Sequence, residues 1–223
     1  HHENWCGNES GGKKFRKPSW KSFQETLRSY AGSDRLDLIN RSLPLSLYVH
    51  LPWCVRKCPY CDFNSHKATK RAPFDRYINA VRVDIRQEAY RVADRSIRSI
   101  FIGGGTPSLF TPAQIKLLLD ECRARLSIAN NCEITMEVNP GKIECGSLLG
   151  YLEAGVNRLS IGAQSFDRIM LKALGRIHGP KEVWDTFTDA TKAGFDNINI
   201  DLMFALPGQS IDQAATDVKS AVE

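Results

Sequence analysis

Residues 45–61 read Leu45-Ser-Leu-Tyr-Val-His-Leu51-Pro-Trp-Cys54-Val-Arg-Lys-Cys58-Pro-Tyr-Cys61. The apolar run Leu45–Leu51, stopped at Pro52, predicts a β-strand. Three cysteines follow it at once, spaced i, i+4 and i+7. Thiolates at that spacing can fold back around one centre if the loop wraps it. On a four-iron cluster, three thiolates leave one iron without a protein ligand, open to an exogenous chelate. Zinc is the competing reading: Cys58-x-x-Cys61 is half a zinc site, and Cys54 with His50 or His66 would complete Cys₃His. Unligated thiols are the third. Arg56, Lys57 and Lys67 stand in or beside the loop, where they would offset the negative charge of a cluster.

Downstream the chain alternates strand and helix. Phe74–Ala93 carries an apolar stripe at helical spacing (Tyr77, Ile78, Val81, Ile85, Ala89, Val92). Ser99–Ile102 predicts a strand running into Gly103-Gly-Gly105. Pro112–Leu126 predicts a helix with Thr111 as N-cap and Pro112 in the first position. Glu133–Val138 is a strand, Ser147–Ala154 a helix stopped by Gly155, and Arg158–Gly162 a strand. Helices over Ser165–Leu174 and Lys181–Ala193, a strand over Asn197–Phe204 and a helix capped by Ser210 complete five βα units. Such alternation implies a parallel sheet flanked by helices, with functional residues on loops at the C-terminal strand ends. The last residue falls inside a helix with no closing strand after it, the pattern expected of a piece of a longer protein.

The whole chain has 223 residues, 42% of them apolar, with 30 basic and 25 acidic side chains for a net charge of +5. That is ordinary globular composition. No apolar run reaches about 18 residues, so no membrane-spanning helix is expected. Residues 1–42 lack a secretory apolar core and show weak periodicity, with at most a short helix around Phe23–Tyr30. They are expected to form a poorly structured extension, leaving 43–223 as the core domain. The basic cluster Lys13, Lys14, Arg16, Lys17 and Lys21 reads as a solvated tail, and no nucleic-acid partner is expected. Seven cysteines, an odd number, in a chain long enough to build a core argue against a disulfide framework and for a reducing compartment. Cys122 lies in an apolar helical pattern and reads as an inert buried thiol.

The other strand ends also carry chemistry. Gly103-Gly-Gly-Thr-Pro-Ser108 lets the backbone approach a ligand and expose N–H groups. It matches neither a dinucleotide fingerprint nor a phosphate-binding P-loop. Glu137, with Asn139-Pro140-Gly141, offers a carboxylate for ribose hydroxyls or an ammonium group. Gly162 with Gln164-Ser165-Phe166 ends the fourth strand, and Asp201, before Leu206-Pro207-Gly208, the fifth. Each alone reads equally as a strand-end cap.

Together these residues resemble the radical S-adenosylmethionine superfamily, through Cys54-x₃-Cys58-x₂-Cys61 and Gly103-Gly-Gly-Thr-Pro107. Tyr48-Val-His-Leu-Pro-Trp-Cys54, Cys58-Pro-Tyr-Cys61-Asp-Phe-Asn-Ser-His66, Glu137-Val-Asn-Pro140, Gly162-Ala-Gln-Ser-Phe166, Leu174-Gly-Arg-Ile-His178 and Asp201-Leu-Met-Phe-Ala-Leu-Pro207 are similar to the oxygen-independent coproporphyrinogen III oxidase group. The resemblance covers Leu43 to the end. It implies an α/β fold, an incomplete (β/α)₆ TIM-like partial barrel of which this chain holds about five βα units. It further implies a [4Fe–4S] cluster on Cys54, Cys58 and Cys61, with S-adenosylmethionine on the open iron, cleaved on cluster reduction to methionine and a 5′-deoxyadenosyl radical. Tyr48 would lie near the cluster end of the site, Tyr60 beside the adenine, and Gly104, Gly105 and Thr106 against the methionine part. Glu137, Gln164, Arg176 and Asp201 match the remaining cofactor contacts.

One position divides the group. The true oxidase carries a further cysteine two residues after the third, and here that position is Phe63. This matches the heme chaperone branch. Mere packing of Phe63 under the loop is the plain alternative. The resemblance thus implies heme or porphyrin as ligand, a heme-acceptor protein and an electron donor such as flavodoxin or ferredoxin as partners, and the bacterial cytoplasm or an organellar matrix as location. Oxidative decarboxylation of coproporphyrinogen III and a zinc-stabilised βα binding module stay open as alternatives.

Overall fold

The computed structural model describes residues 43–141 and 146–223. The expected helix near Phe23–Tyr30, the basic cluster Lys13–Lys21, Cys6 and Cys145 lie outside the described residues. Within the unit Pro44–Glu223, five parallel strands form one sheet: β1 (Leu45–Leu51), β4 (Ile97–Gly104), β5 (Ile128–Val138), β6 (Arg158–Gln164) and β7 (Ile198–Leu202), in that spatial order. Two short strands, β2 (Trp53–Cys54) and β3 (His66–Lys67), pair with each other beside it. The helices are α1 (Phe74–Glu88), α2 (Pro112–Arg125), α3 (Leu148–Ala154), α4 (Arg168–Ala173), α5 (Pro180–Ala193) and α6 (Ile211–Val222). None is long and apolar enough to cross a membrane.

The sheet's two faces differ in kind. Val49, Leu51, Ile100, Ile102, Ile134, Met136, Leu159 and Ile161 point to the helices and form the core with Ile78, Ile115, Leu118 and Leu119. On the other face, β5, β6 and β7 carry Thr135, Glu137, Arg158, Ser160, Asn199 and Asp201, beside Ser99 and the aromatic Phe101 of β4 and Tyr48 of β1. A parallel sheet buried on both faces reads as continuous apolar runs. Period-two alternation here marks a second face lined for something other than core.

Local chemistry sets the element ends. Thr111 Oγ1 accepts from Gln114 N at 3.3 Å, and Gln114 Oε1 accepts from Thr111 N at 2.9 Å, a reciprocal cap with Pro112 behind it. Gly155 closes α3 and Gly194 closes α5 at φ 108° and 104°, conformations that disfavour a side chain. The predicted first helix stops earlier, at Glu88, and tightens into a 3₁₀ turn over Ala89–Val92. α4 starts later than expected, because Asp167 caps it by accepting from Ile169 N and Met170 N.

Two buried carboxylates tie elements together. Asp217 of α6 accepts from Ser165 Oγ at 2.8 Å and Phe166 N at 2.7 Å, fixing the turn after β6. Glu121 of α2 accepts from Arg82 and Arg86 of α1 and from Arg125, at 2.6 to 3.2 Å. The Arg86 hydrogen bond, followed by that of Arg125, holds the Glu121 carboxyl down at about 2.

The end of β4 is pressed against the strand that carries the cysteines. Gly105 N donates to Leu51 O at 2.8 Å and Thr106 N to Trp53 O at 2.7 Å. A Cβ on Gly105 would stand 2.6 Å from Trp53 O and 2.8 Å from Pro52 O, and one on Gly104 would stand 2.9 Å from Leu51 O. The next turn, Pro107–Leu109, is held from behind by the buried Tyr151, whose hydroxyl lies 2.8 Å from both Ser108 O and Phe110 O. Trp53 packs edge-on to Tyr77 (centroids 4.9 Å) and against Phe74 and Phe110, anchoring the base of the cysteine loop to α1.

Two expectations follow. A carboxyl depressed when folded contributes stability above its ordinary value of about 4.5, lost as pH falls toward about 2. Urea midpoints of the parent should therefore exceed those of Glu121→Gln at neutral pH, and the gap should close across that acid window. Gly105→Ala, which drives a methyl into fixed backbone, should lower unfolding free energy by about 1–3 kcal/mol, read by chemical denaturation.

Candidate functional site

A cavity of about 620 Å³ opens at the C-terminal ends of the strands. Its walls come from the ends of β4, β5, β6 and β7, with the cysteine loop as the remaining side. Cys54, Cys58 and Cys61 all face it. The loop that holds them is closed at its base by the pairing of Trp53–Cys54 with His66–Lys67, where His66 N donates to Pro52 O and Ala68 N to Cys54 O, each at 2.7 Å. Pairing this short gives no alternation to read, and sequence reasoning left it out.

The residues predicted for the cofactor converge here with one exception. Tyr60, Gly104, Gly105, Thr106, Glu137, Gln164, Arg176 and Asp201 line the cavity. Tyr48 does not line it. It stacks on Phe101 (centroids 6.2 Å, planes at 21°), and Phe101 forms the wall.

The glycines act differently from the expectation. Their N–H groups are spent inside the protein: Gly104 N donates to Glu137 Oε2 at 3.0 Å, and Gly105 N and Thr106 N go to the cysteine strand. What the run supplies is close packing of backbone on backbone. Lys57 does not line the cavity. Its ammonium turns back to Phe63 O and Ser65 O at 3.2 and 3.4 Å, Lys67 is exposed on β3, and of the three basic residues only Arg56 reaches the cavity.

The cation that meets the cysteines is Arg176, from the turn after α4. Its Nη1 donates to Cys58 Sγ at 3.8 Å, and its Nη2 to Asn139 Oδ1 at 2.8 Å and Gly162 O at 2.9 Å. Asn139 Nδ2 donates in turn to Thr106 Oγ1 at 3.1 Å. One chain of contacts thus joins the ends of β4, β5 and β6 to the cysteine loop. The buried Nε of Arg176 has no protein acceptor among the described residues. Tyr60 sits in the same group, its hydroxyl held above its ordinary value by burial and by Cys58, against the pull of Arg176.

Glu137 uses one oxygen on Gly104 N. Burial raises its carboxyl, the Gly104 hydrogen bond opposes this, and Asp201 adds to the rise. Asp201 accepts from Ser160 Oγ at 3.0 Å and Asn199 Nδ2 at 2.7 Å. Gln164 adopts φ 71°, in the left-handed region unusual for a side-chain-bearing residue, at a shift in β6–β7 register. Such a bulge re-aims the residue, here into the cavity. His178, two residues past Arg176, is buried and donates from Nε2 to Ala163 O at 3.1 Å, seating the same turn on β6. Burial, and then Arg176, bring its ring down to about 4, so it is neutral at physiological pH.

The donor set suits a cluster better than zinc. Among the described residues no three His, Cys, Asp or Glu side chains close on a point where one metal ion would sit. His50, one of the two candidate fourth ligands, is engaged at both nitrogens, with Tyr48 Oη at 2.9 Å and Asn64 O at 2.7 Å. Three thiols facing one roomy cavity, with a guanidinium on one of them and carboxylates opposite, fit a larger polynuclear group with a polar ligand beside it.

Arg158, Ser160, Asn199, Asn139, Phe101 and Met203 also line the cavity and were not singled out as site residues. The period-two polar pattern of β5, β6 and β7 is the signal that contains most of them.

Comparison with known proteins agrees with this geometry. A model of the radical SAM superfamily matches residues 48–221. The chain is 49% identical over 180 residues to the heme chaperone HemW of Escherichia coli strain K12, covering 81% of this chain and 48% of that protein. With the heme chaperone HemW of Bacillus subtilis strain 168 it shares 37% over 178 residues, covering 79% and 47%. The chain spans about half the length of these relatives. The solved structure of coproporphyrinogen III oxidase (HemN) from Escherichia coli, described as a radical SAM enzyme, superposes with a TM-score of 0.72 at 31% identity, over 87% of this chain and 45% of that one. By sequence, by topology and by the placement of its three cysteines, the chain belongs to the radical SAM superfamily, whose cofactors are a [4Fe–4S] cluster and S-adenosylmethionine.

Proposed function

We propose that this chain acts as a heme chaperone of the HemW kind, with S-adenosylmethionine in the strand-end cavity and heme as cargo for an acceptor protein. The observation that carries the reading is Phe63. Its side chain is 61% exposed and stands in the cavity wall, so it is not spent on packing under the loop, and no thiol occupies that position. Similarity to two bacterial proteins named heme chaperone supports it.

Cys54, Cys58 and Cys61 would each hold one iron, leaving the fourth for the amino and carboxylate groups of S-adenosylmethionine. When bound and reduced, the cluster supplies one electron to the sulfonium. The chain's own residues bind and orient. Arg176 places positive charge on the Cys58 sulfur, and the same guanidinium ties Asn139 and Gly162 to the cysteine loop. Glu137 offers its second oxygen to an ammonium or a ribose hydroxyl. Gln164 and Asp201 supply further polar contacts, Tyr60 flanks them, and the carbonyls of the Gly104–Thr106 turn accept from the methionine part. An electron donor of the flavodoxin or ferredoxin type and a location in the bacterial cytoplasm, where free thiols persist, belong to the same proposal.

Anaerobic reconstitution with iron and sulfide should load about four irons per chain, as a [4Fe–4S] site requires. The EPR signal of the reduced protein should change on adding S-adenosylmethionine. Replacing Cys54, Cys58 or Cys61 by Ala should abolish the iron, and Cys122→Ala should not, because Cys122 is fully buried in the core. Iron retained after Cys58→Ala would sink the ligand assignment. Heme titration followed at the Soret band should saturate. No heme uptake, with coproporphyrinogen converted to a vinyl product under the same reducing conditions, would assign the site to the oxidase reaction instead.

A further inference from the structure

The cavity lining extends past the residues matched to the cofactor, to Phe101 and Arg158. Strand register places Tyr48, Phe101, Thr135 and Arg158 in one row across β1, β4, β5 and β6, all on the face away from the helices. This row lies two residues upstream of the Glu137–Ser160 pair. At one end is a flat aromatic wall, Phe101 stacked on Tyr48. At the other is a guanidinium that the fold leaves mostly unused. Arg158 donates from Nη1 to Thr135 Oγ1 at 3.3 Å, and its approach to Glu133 Oε1 is a long 3.8 Å. Among the described residues its Nε and Nη2 have no partner, yet its side chain is only 24% exposed and lines the cavity. A cation so placed has lost much of its hydration without gaining a matched anion, a standing preference for a carboxylate that can take two N–H donors at once.

Neighbouring strands are about 4.8 Å apart, so Arg158 stands about 10 Å across the sheet from Phe101. That separation suits a flat ring system resting on the aromatic wall and sending a carboxylate arm to Arg158. We propose that Arg158 is the carboxylate anchor of a planar, apolar, acid-bearing ligand in this cavity, with Phe101, backed by Tyr48, as its platform. The inference rests on the heme reading above and deepens it, by placing a propionate-type arm on the sheet's concave face.

The test uses protoporphyrin IX, which carries two carboxylates, and its dimethyl ester, which carries none, titrated against the chain by quenching of tryptophan fluorescence. Wild type should bind the free acid more tightly than the ester. Arg158→Gln should weaken binding of the free acid about tenfold, equivalent to about 1.4 kcal/mol, and leave the ester unchanged. Arg158→Lys should recover part of the loss. Far-UV circular dichroism and S-adenosylmethionine binding should be the same in all three, which a collapse of the sheet would not allow. Equal binding of the free acid by wild type and Arg158→Gln, or equal binding of acid and ester by wild type, overturns the anchor and leaves the porphyrin reading standing. Binding of neither porphyrin by wild type overturns both.

Discussion

The contact between the end of β4 and the backbone of Pro52 and Trp53 governs this structure. Two main-chain hydrogen bonds, from Gly105 N and Thr106 N, and the absence of a Cβ on Gly104 and Gly105 bring the two segments closer than side chains permit. The cysteine loop is thereby seated on the sheet. Without that seat the three thiols would sit on a surface loop with no fixed relation to Glu137, Asn139 or Arg176. Tyr151 and the Trp53 aromatic cluster brace the same point from the helix side, so core packing is transmitted directly to the position of the cysteines.

Polar groups on the concave face are arranged so that few are idle. Asp201 is met by Ser160 and Asn199, and Asn139 by Thr106 and Arg176. A partly desolvated polar network is stable only when its members are paired. The groups left over therefore carry the information about ligands. Among the described residues, Nε and Nη2 of Arg158 are left over in this way. Both are donors on a cation that lines the cavity containing the thiols. They point to an acidic ligand on the same face.

Much of this was legible before any coordinates. The five βα units, the parallel order, the strand before the cysteines, and the caps at Thr111, Gly155 and Gly194 follow from periodicity and from a few residues with strong local preferences. The site residues named by resemblance meet at one cavity, apart from Tyr48. Single contacts were less legible. The N–H groups of the glycine run, expected to face a ligand, are engaged inside the protein, although Gly104 and Gly105 still line the cavity. Lys57 ties its own loop through Phe63 O and Ser65 O. The helix expected from Ser165 begins only after Asp167, because Ser165 is held by Asp217, 52 residues away, and Asp167 caps the first turn.

What the sequence determined by itself is therefore the order of elements and the chemical types gathered at the strand ends. Both are written in local spacing, period two or 3.6 and fixed motif distances, which physical chemistry reads within a few residues. Tertiary structure alone decided which donors are spent and which remain. That Arg176 reaches Cys58 across 118 positions, that Gly104 N is taken by Glu137, and that Arg158 keeps two nitrogens without a partner among the described residues, across the sheet from an aromatic wall, all depend on strand register. Register is set by core packing between distant segments, and no short stretch of sequence contains it.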